Sequence, residues 1–201
     1  MATNREEKRK EKRERILQEA ITLFSQNGYS QTTISEVAKA SAVSFGSVFT
    51  YFPSKEELFR SAVVEPLKRW DPLFFHVAEK DGTPLEQIQK MVREQVEVFS
   101  REGPYLRLLQ YVLGQPERFE EEVNYLDDFL EHFKDTLRPI IEQGQEYGEL
   151  ERIDPGLVAL SYLSFLNGIR LTLSDSYNNE IWDLYVDQAL RLFGPIPRER
   201  R

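Results

Sequence analysis

Cysteine is absent from the 201 residues, and histidine occurs only twice, at His76 and His132. Without cysteine there is no disulfide framework, no thiolate metal site and no thiol nucleophile. Two histidines so far apart in the chain offer no metal-ligand spacing. No apolar run is long enough to span a bilayer, and the charged N-terminus lacks the apolar stretch of a signal peptide. The expectation is a cytoplasmic protein with no membrane partner. No Gly-rich phosphate loop, Gly-x-Ser-x-Gly elbow or His-Glu-x-x-His motif appears. The many carboxylates read as solvated helical faces, so no enzyme, cofactor or metal is expected. Val, Ile and Thr never settle into period-two alternation, which leaves essentially no strand.

What remains is a charged, helix-patterned chain, 40% hydrophobic and 30% charged, enough to bury one large core or two small ones. The net charge of −8 is unevenly spread: residues 1–60 hold 10 Lys and Arg against 8 acids and net +2, and the remainder nets −10. The bases are densest at Arg5, Lys8, Arg9, Lys10, Lys12, Arg13 and Arg15. Two readings fit this cluster. It is either a solvated helix face interleaved with Glu6, Glu7, Glu11 and Glu14, or a locally basic head able to meet phosphates over a Debye length of about 8–10 Å.

The neighbouring segment favours the second. Thr33 followed by Glu36 is a capping box, so a helix starts at Ile34 with Val37 and Ala38 on its inner face. That helix stops near Ala40 to Ala42, and Val43 plugs the core beneath the turn. Ser44 caps the next helix, whose inner face carries Val48 and Phe52 and which Pro53 ends. Ser54 with Glu57 opens another. Two short helices joined by a tight turn form a helix-turn-helix, which places its second helix in the DNA major groove.

These residues, with Ile16, Ala20, Leu23, Phe24 and Asn27-Gly28 before them and Phe49-Thr-Tyr-Phe-Pro-Ser-Lys-Glu-Glu-Leu58 after, resemble the DNA-binding head of the tetracycline-repressor (TetR) family. Two departures stand out: Ala42 occupies the family's usual turn glycine, and Phe45 a usually polar position. The resemblance implies an all-α homodimer of about nine helices. A three-helix head (residues 1–60) is expected to bind double-stranded operator DNA, and a helical bundle (residues 61–201) to bind a small-molecule inducer and dimerise. The expected DNA contacts are Thr33, Ser35, Ser44, Phe45, Gly46, Ser47, Phe49, Thr50, Tyr51 and Lys55. Phe45 either packs on a thymine methyl or folds back onto the domain. Gly46 either allows close backbone approach or is a tolerated surface glycine. Lys55, a cation at a positive helix end, is explained by a phosphate between the two.

The rest of the chain is helical throughout. Pro66 and Pro72 are expected to bend or end the fourth helix, and Pro139 to kink a long one. Gly148, Asp154 and Pro155 mark a helix stop and the capped start of the eighth helix, a run that also resembles the family. The arginine-rich tail 198–201 is expected to fray. Seventeen of the 24 aromatic residues follow residue 60. They are ordinary core or, as the resemblance implies, the wall of a cavity for a largely apolar ligand. Candidate ligand contacts are Tyr105, Arg107, Leu108, Leu109, Tyr111, Phe129, Phe133, Phe165, Asn167 and Arg170. Candidate dimer contacts are Leu163, Leu166, Ile169, Leu184 and Tyr185. The rival readings are a helical protein-interaction module that ignores small molecules and a helical-bundle enzyme.

Overall fold

The computed structural model describes residues 2–79, 81–172 and 179–196. Nine α-helices account for most of them: α1 (Ala2–Gln31), α2 (Ile34–Ala40), α3 (Phe45–Tyr51), α4 (Lys55–Phe75), α5 (Pro84–Arg101), α6 (Gly103–Leu113), α7 (Glu120–Glu146), α8 (Pro155–Thr172) and α9 (Asn179–Arg191). A 3-10 turn, Val77–Glu79, follows α4. Among the described residues no strand forms beyond an isolated bridge between Leu150 and Pro195. The all-α class expected from the sequence is what the protein adopts. The arginine-rich tail 198–201, expected to fray, lies outside the described residues.

The chain divides into two compact units. The first comprises residues 1–68 and 104–123, the second 69–103 and 124–201, so the division falls inside α4, at the first residue of α6 and inside α7. In the first unit, Ile16, Leu17, Ala20, Ile21 and Phe24 of α1 are all sealed from solvent, an i, i+4, i+8 stripe of the kind that anchors a helix on a core. Leu58, Phe59, Ala62 and Val63 of α4 and Val48 of α3 are buried as well. Helix α6 adds Leu106, Leu108 and Val112 to the same unit, and the Tyr105 hydroxyl donates to the Val63 carbonyl at 2.6 Å.

In the second unit α5 begins with the full Thr83–Glu86 capping box and Pro84 in its first turn and buries Ile88, Met91, Val92, Val96 and Phe99. Phe74 is edge-on to Phe133 at 5.2 Å, and Trp70 lies 5.3 Å from Phe99. Full burial of a side chain such as Phe133 contributes about 1.5–3 kcal/mol. One polar pair threads this core: Gln95 donates to the Leu73 carbonyl at 3.1 Å and accepts from the Tyr162 hydroxyl at 2.8 Å. The pairing offsets the cost of burying an amide. Gly144 lets α7 meet Leu150, because a Cβ there would stand 2.7 Å from the leucine Cδ1.

Helix α4 is not ended by Pro66 or Pro72 but runs through both to Phe75. An internal proline costs one backbone hydrogen bond and a clash, roughly 3 kcal/mol. Here Leu67, Trp70 and Phe74 bury their side chains along the same helix and hold the helical path. Helix α1 reaches Gln31 across a break at Gly28 (φ 72°, ψ 172°).

Candidate nucleic-acid interface

The turn between α2 and α3 is built by local bonds. Thr33 accepts from the Glu36 amide at 3.2 Å, and Glu36 accepts from the Thr33 amide at 2.8 Å. The Thr33 amide first and the Thr33 hydroxyl second, which also donates to the carboxylate at 2.8 Å, hold the Glu36 carboxyl below its ordinary range. At the far end Ser41 is buried and donates to the Val37 carbonyl at 2.6 Å. The Arg15 guanidinium braces the turn from α1 by donating to the Ser41 carbonyl at 2.8 Å. Ala42 then takes φ 51°, a left-handed value that a Cβ makes costly. Val43 is only half-buried beneath the turn, with its amide bonded to the Ala38 carbonyl.

Ser44 caps α3 through the Ser47 amide at 3.2 Å, and the two hydroxyls lie 2.6 Å apart. Val48 and Phe52 fill the inner face. That anchoring turns Phe45, Gly46, Phe49 and Thr50 outward. Phe45 is 56% exposed and does not fold back onto the domain; it meets Phe49 edge-on at 5.2 Å, and Phe49 is 39% exposed. The pair forms an apolar patch on the face offered to a major groove. A Cβ on Gly46 would meet nothing within 4 Å, so nothing inside the protein requires glycine there. Thr33 and Ser35 are exposed, while Ser47 and Tyr51 are half-buried.

Lys55, in the first turn of α4, has its ammonium 4.5 Å from the centre of the Tyr29 ring and 3.4 Å from the Ser30 carbonyl. Tyr29 in turn donates to Glu56 at 2.6 Å. The phenol is pushed up to about 12, by burial first and by that bond second. Tyr29 went unremarked as a functional residue in the sequence, yet it organises this corner. Phe59 and Phe119 pack edge-on against it, and the Arg118 guanidinium lies over its ring. Its backbone amide donates to the Tyr111 hydroxyl at 2.9 Å. No short-range pattern could have signalled this, because Tyr111 and Arg118 lie more than eighty residues away.

Tyr111, named above as a ligand contact, is thereby placed against the end of α1. The other candidates from that set fall in both units. Leu108, Leu109 and Tyr105 are buried in the first unit, with Arg107 half-buried beside them. In the second, Phe133 is buried, and Phe129 packs at 5.1 Å on Phe74 and 4.9 Å on Phe75. Phe165 packs on Tyr185 at 5.9 Å, and Asn167 is exposed. The Arg170 side chain lies outside the described residues. A cleft of about 550 Å³ between α5 and α9 is charged instead, with Arg93, Glu97, Arg101 and Asp183 around Trp182.

The candidate dimer residues also divide by burial. Leu166 and Ile169 are core residues of the unit itself, Leu163 and Tyr185 are half-buried, and Leu184 is 63% exposed. Leu157 and Leu160, not singled out above, are exposed on α8.

A helix whose capped N-terminus and outer face are free, held on its inner face by a small helical core, is a DNA-reading element. This protein is a helix-turn-helix DNA-binding regulator. It belongs to the TetR family: residues 16–62 match the family described as bacterial regulatory proteins of the tetR family, and residues 81–171 match the tetracyclin repressor-like C-terminal domain. It is 28% identical over 169 residues to the uncharacterised HTH-type transcriptional regulator YfiR of Bacillus subtilis, covering 80% of this chain and 79% of that one. It is 31% identical over 148 residues to the HTH-type transcriptional regulator RutR of Escherichia coli K12, covering 72% of this chain and 66% of the relative. The crystal structure of the TetR-family regulator PfmR from Thermus thermophilus superposes with a TM-score of 0.70 at 26% identity, covering 92% of this chain and 99% of that one.

Proposed function

We propose that the protein is a cytoplasmic repressor that binds a palindromic operator as a homodimer and is released by a small, largely apolar ligand. It acts by binding and not by catalysis. The observation that carries the DNA reading is the exposed, Ser44-capped α3, held by buried Val48 and Phe52. Thr33 and Ser44, with the free amides of their helices, and Ser35, Ser47, Thr50, Tyr51 and Lys55 supply polar contacts to phosphate. Phe45 and Phe49 supply apolar contact to thymine methyls, and Gly46 permits close approach. A two-fold dimer sets its two α3 helices about 34 Å apart or a multiple of that, so the operator mirrors the protein's symmetry.

The exposed Leu157, Leu160 and Leu184 on α8 and α9 support a dimer made through these helices. The second unit has an aromatic core, in which Trp70, Phe74, Phe129 and Phe133 pack on one another, and a ligand entering among them would be acyl or aromatic rather than polar. For a 100-fold loss of DNA affinity such a ligand must favour the non-binding state by roughly 2.7 kcal/mol, and DNA must weaken the ligand equally.

The test is a binding series on duplexes enclosing the operator. Lys55→Ala should weaken all sequences alike and lower the salt slope by about one, whereas Phe45→Ala should change the preference among sequences. A wild type that does not prefer any duplex over random DNA at moderate salt would mark the protein as an interaction module instead.

A further inference from the structure

We propose that the first turns of α1 form a second phosphate-binding surface, continuous with α3, that grips the duplex outside the bases α3 reads. This rests on the DNA-binding reading above and extends its footprint. Arg5, Lys8, Arg9 and Lys12 recur at steps of three and four and so share one face of α1. Glu6, Glu7 and Glu14 fall on the opposite side. The core stripe begins only at Ile16, so these turns are not needed to close the hydrophobic core.

Of the remaining bases of α1 nearby, Lys10 lies off this face, and Arg13 and Arg15 are already committed. Arg13 donates to Glu65 at 2.7 Å and lies over the Phe52 ring, and Arg15 holds the Ser41 carbonyl. Among the described residues, none of Arg5, Lys8, Arg9 or Lys12 has an ion-pair partner. Four like charges on one exposed face repel one another, which disfavours the helix unless a polyanion faces them.

Their position names the polyanion. Together with Arg15 they line a groove of about 510 Å³ whose other wall is Thr50 and Tyr51 of α3, with Glu11 as its one carboxylate. The basic face therefore runs directly into the recognition helix. Arg5 to Arg15 spans about 15 Å of helix, the rise of roughly four base pairs. A duplex lying on α3 continues along this face, and the bases meet its phosphates without reading sequence.

The test uses the full chain with Arg5, Lys8, Arg9 and Lys12 all changed to Gln, a good helix former. Operator duplexes are compared with and without flanks of roughly one helical turn. On the flanked duplex the variant should lose at least about tenfold in affinity, and its log K against log salt slope should fall by roughly 3–4 per protomer. Its preference for operator over random DNA should be unchanged. On the trimmed duplex the two proteins should bind alike. Exchanging Arg5 and Arg9 for Lys instead should keep the wild-type slope. The proposal is overturned if the variant matches wild type on the flanked duplex, or if it loses equally on both. A wild type without operator preference would overturn the DNA reading itself, a separate outcome.

Discussion

Replacing Gly28 with alanine should loosen the unit that carries α3 at one identifiable joint. Gly28 sits at φ 72°, where α1 breaks before Tyr29. With ψ 172° this is backbone that essentially only glycine adopts, and a side chain there costs about 1–3 kcal/mol. The added Cβ would also stand 2.9 Å from Cε2 of Tyr111 and 3.0 Å from its hydroxyl. The ring must withdraw, and its hydroxyl then releases the Tyr29 amide it holds at 2.9 Å. Leaving that part-buried amide unpaired costs about 1–3 kcal/mol. The sum is roughly 2–6 kcal/mol for Gly28→Ala, against about 1–3 for Tyr111→Phe, which loses the bond without the clash. The two sites share one contact, so combining Gly28→Ala with Tyr111→Ala should cost less than the two singles added, by about 1 kcal/mol or more. Urea unfolding of the four proteins measures this. Additive costs, or a Gly28→Ala protein within about 0.5 kcal/mol of wild type, would refute the claim that this joint is held by close packing of Tyr111 on Gly28.

Ala42 at φ 51° is paying for a conformation that glycine adopts freely, so Ala42→Gly should stabilise the turn by up to about 1 kcal/mol, read as a higher denaturation midpoint. Leu184→Glu should leave the fold intact and shift sedimentation from dimer to monomer, because Leu184 is exposed, whereas Leu166→Glu should unfold the protein, because Leu166 is fully buried. The raised Tyr29 phenol means that folding favours its neutral form. This contribution is complete below the unfolded value of about 10 and is lost as pH rises through about 12. Tyr29→Phe should therefore flatten the alkaline loss of stability in that window, and identical curves for the two proteins would contradict the assigned environment.

Local chemistry determined much of this protein. The capping boxes at Thr33 and Thr83, the Ser44 cap and the Gly148 stop each involve residues within a turn or two of one another, and the same is true of the apolar steps that place Val48 and Phe52 inward. Such bonds form wherever the segment is helical, so the helix-turn-helix was legible from its own residues. Tertiary packing decided what those patterns leave open. It carried α4 through Pro66 and Pro72, because burial along the helix outweighed the local penalty. It sent Phe45 outward onto Phe49. On α8 and α9 the leucine periodicity marks apolar positions without saying which face meets the chain's own core. Packing buried Leu166 and left Leu160 and Leu184 in solvent. It also gathered residues 104–123 into one unit with residues 1–68, setting Tyr111 on Gly28 and Arg118 on Tyr29. Those contacts join positions more than eighty residues apart, and their energy exists only once the intervening chain has folded.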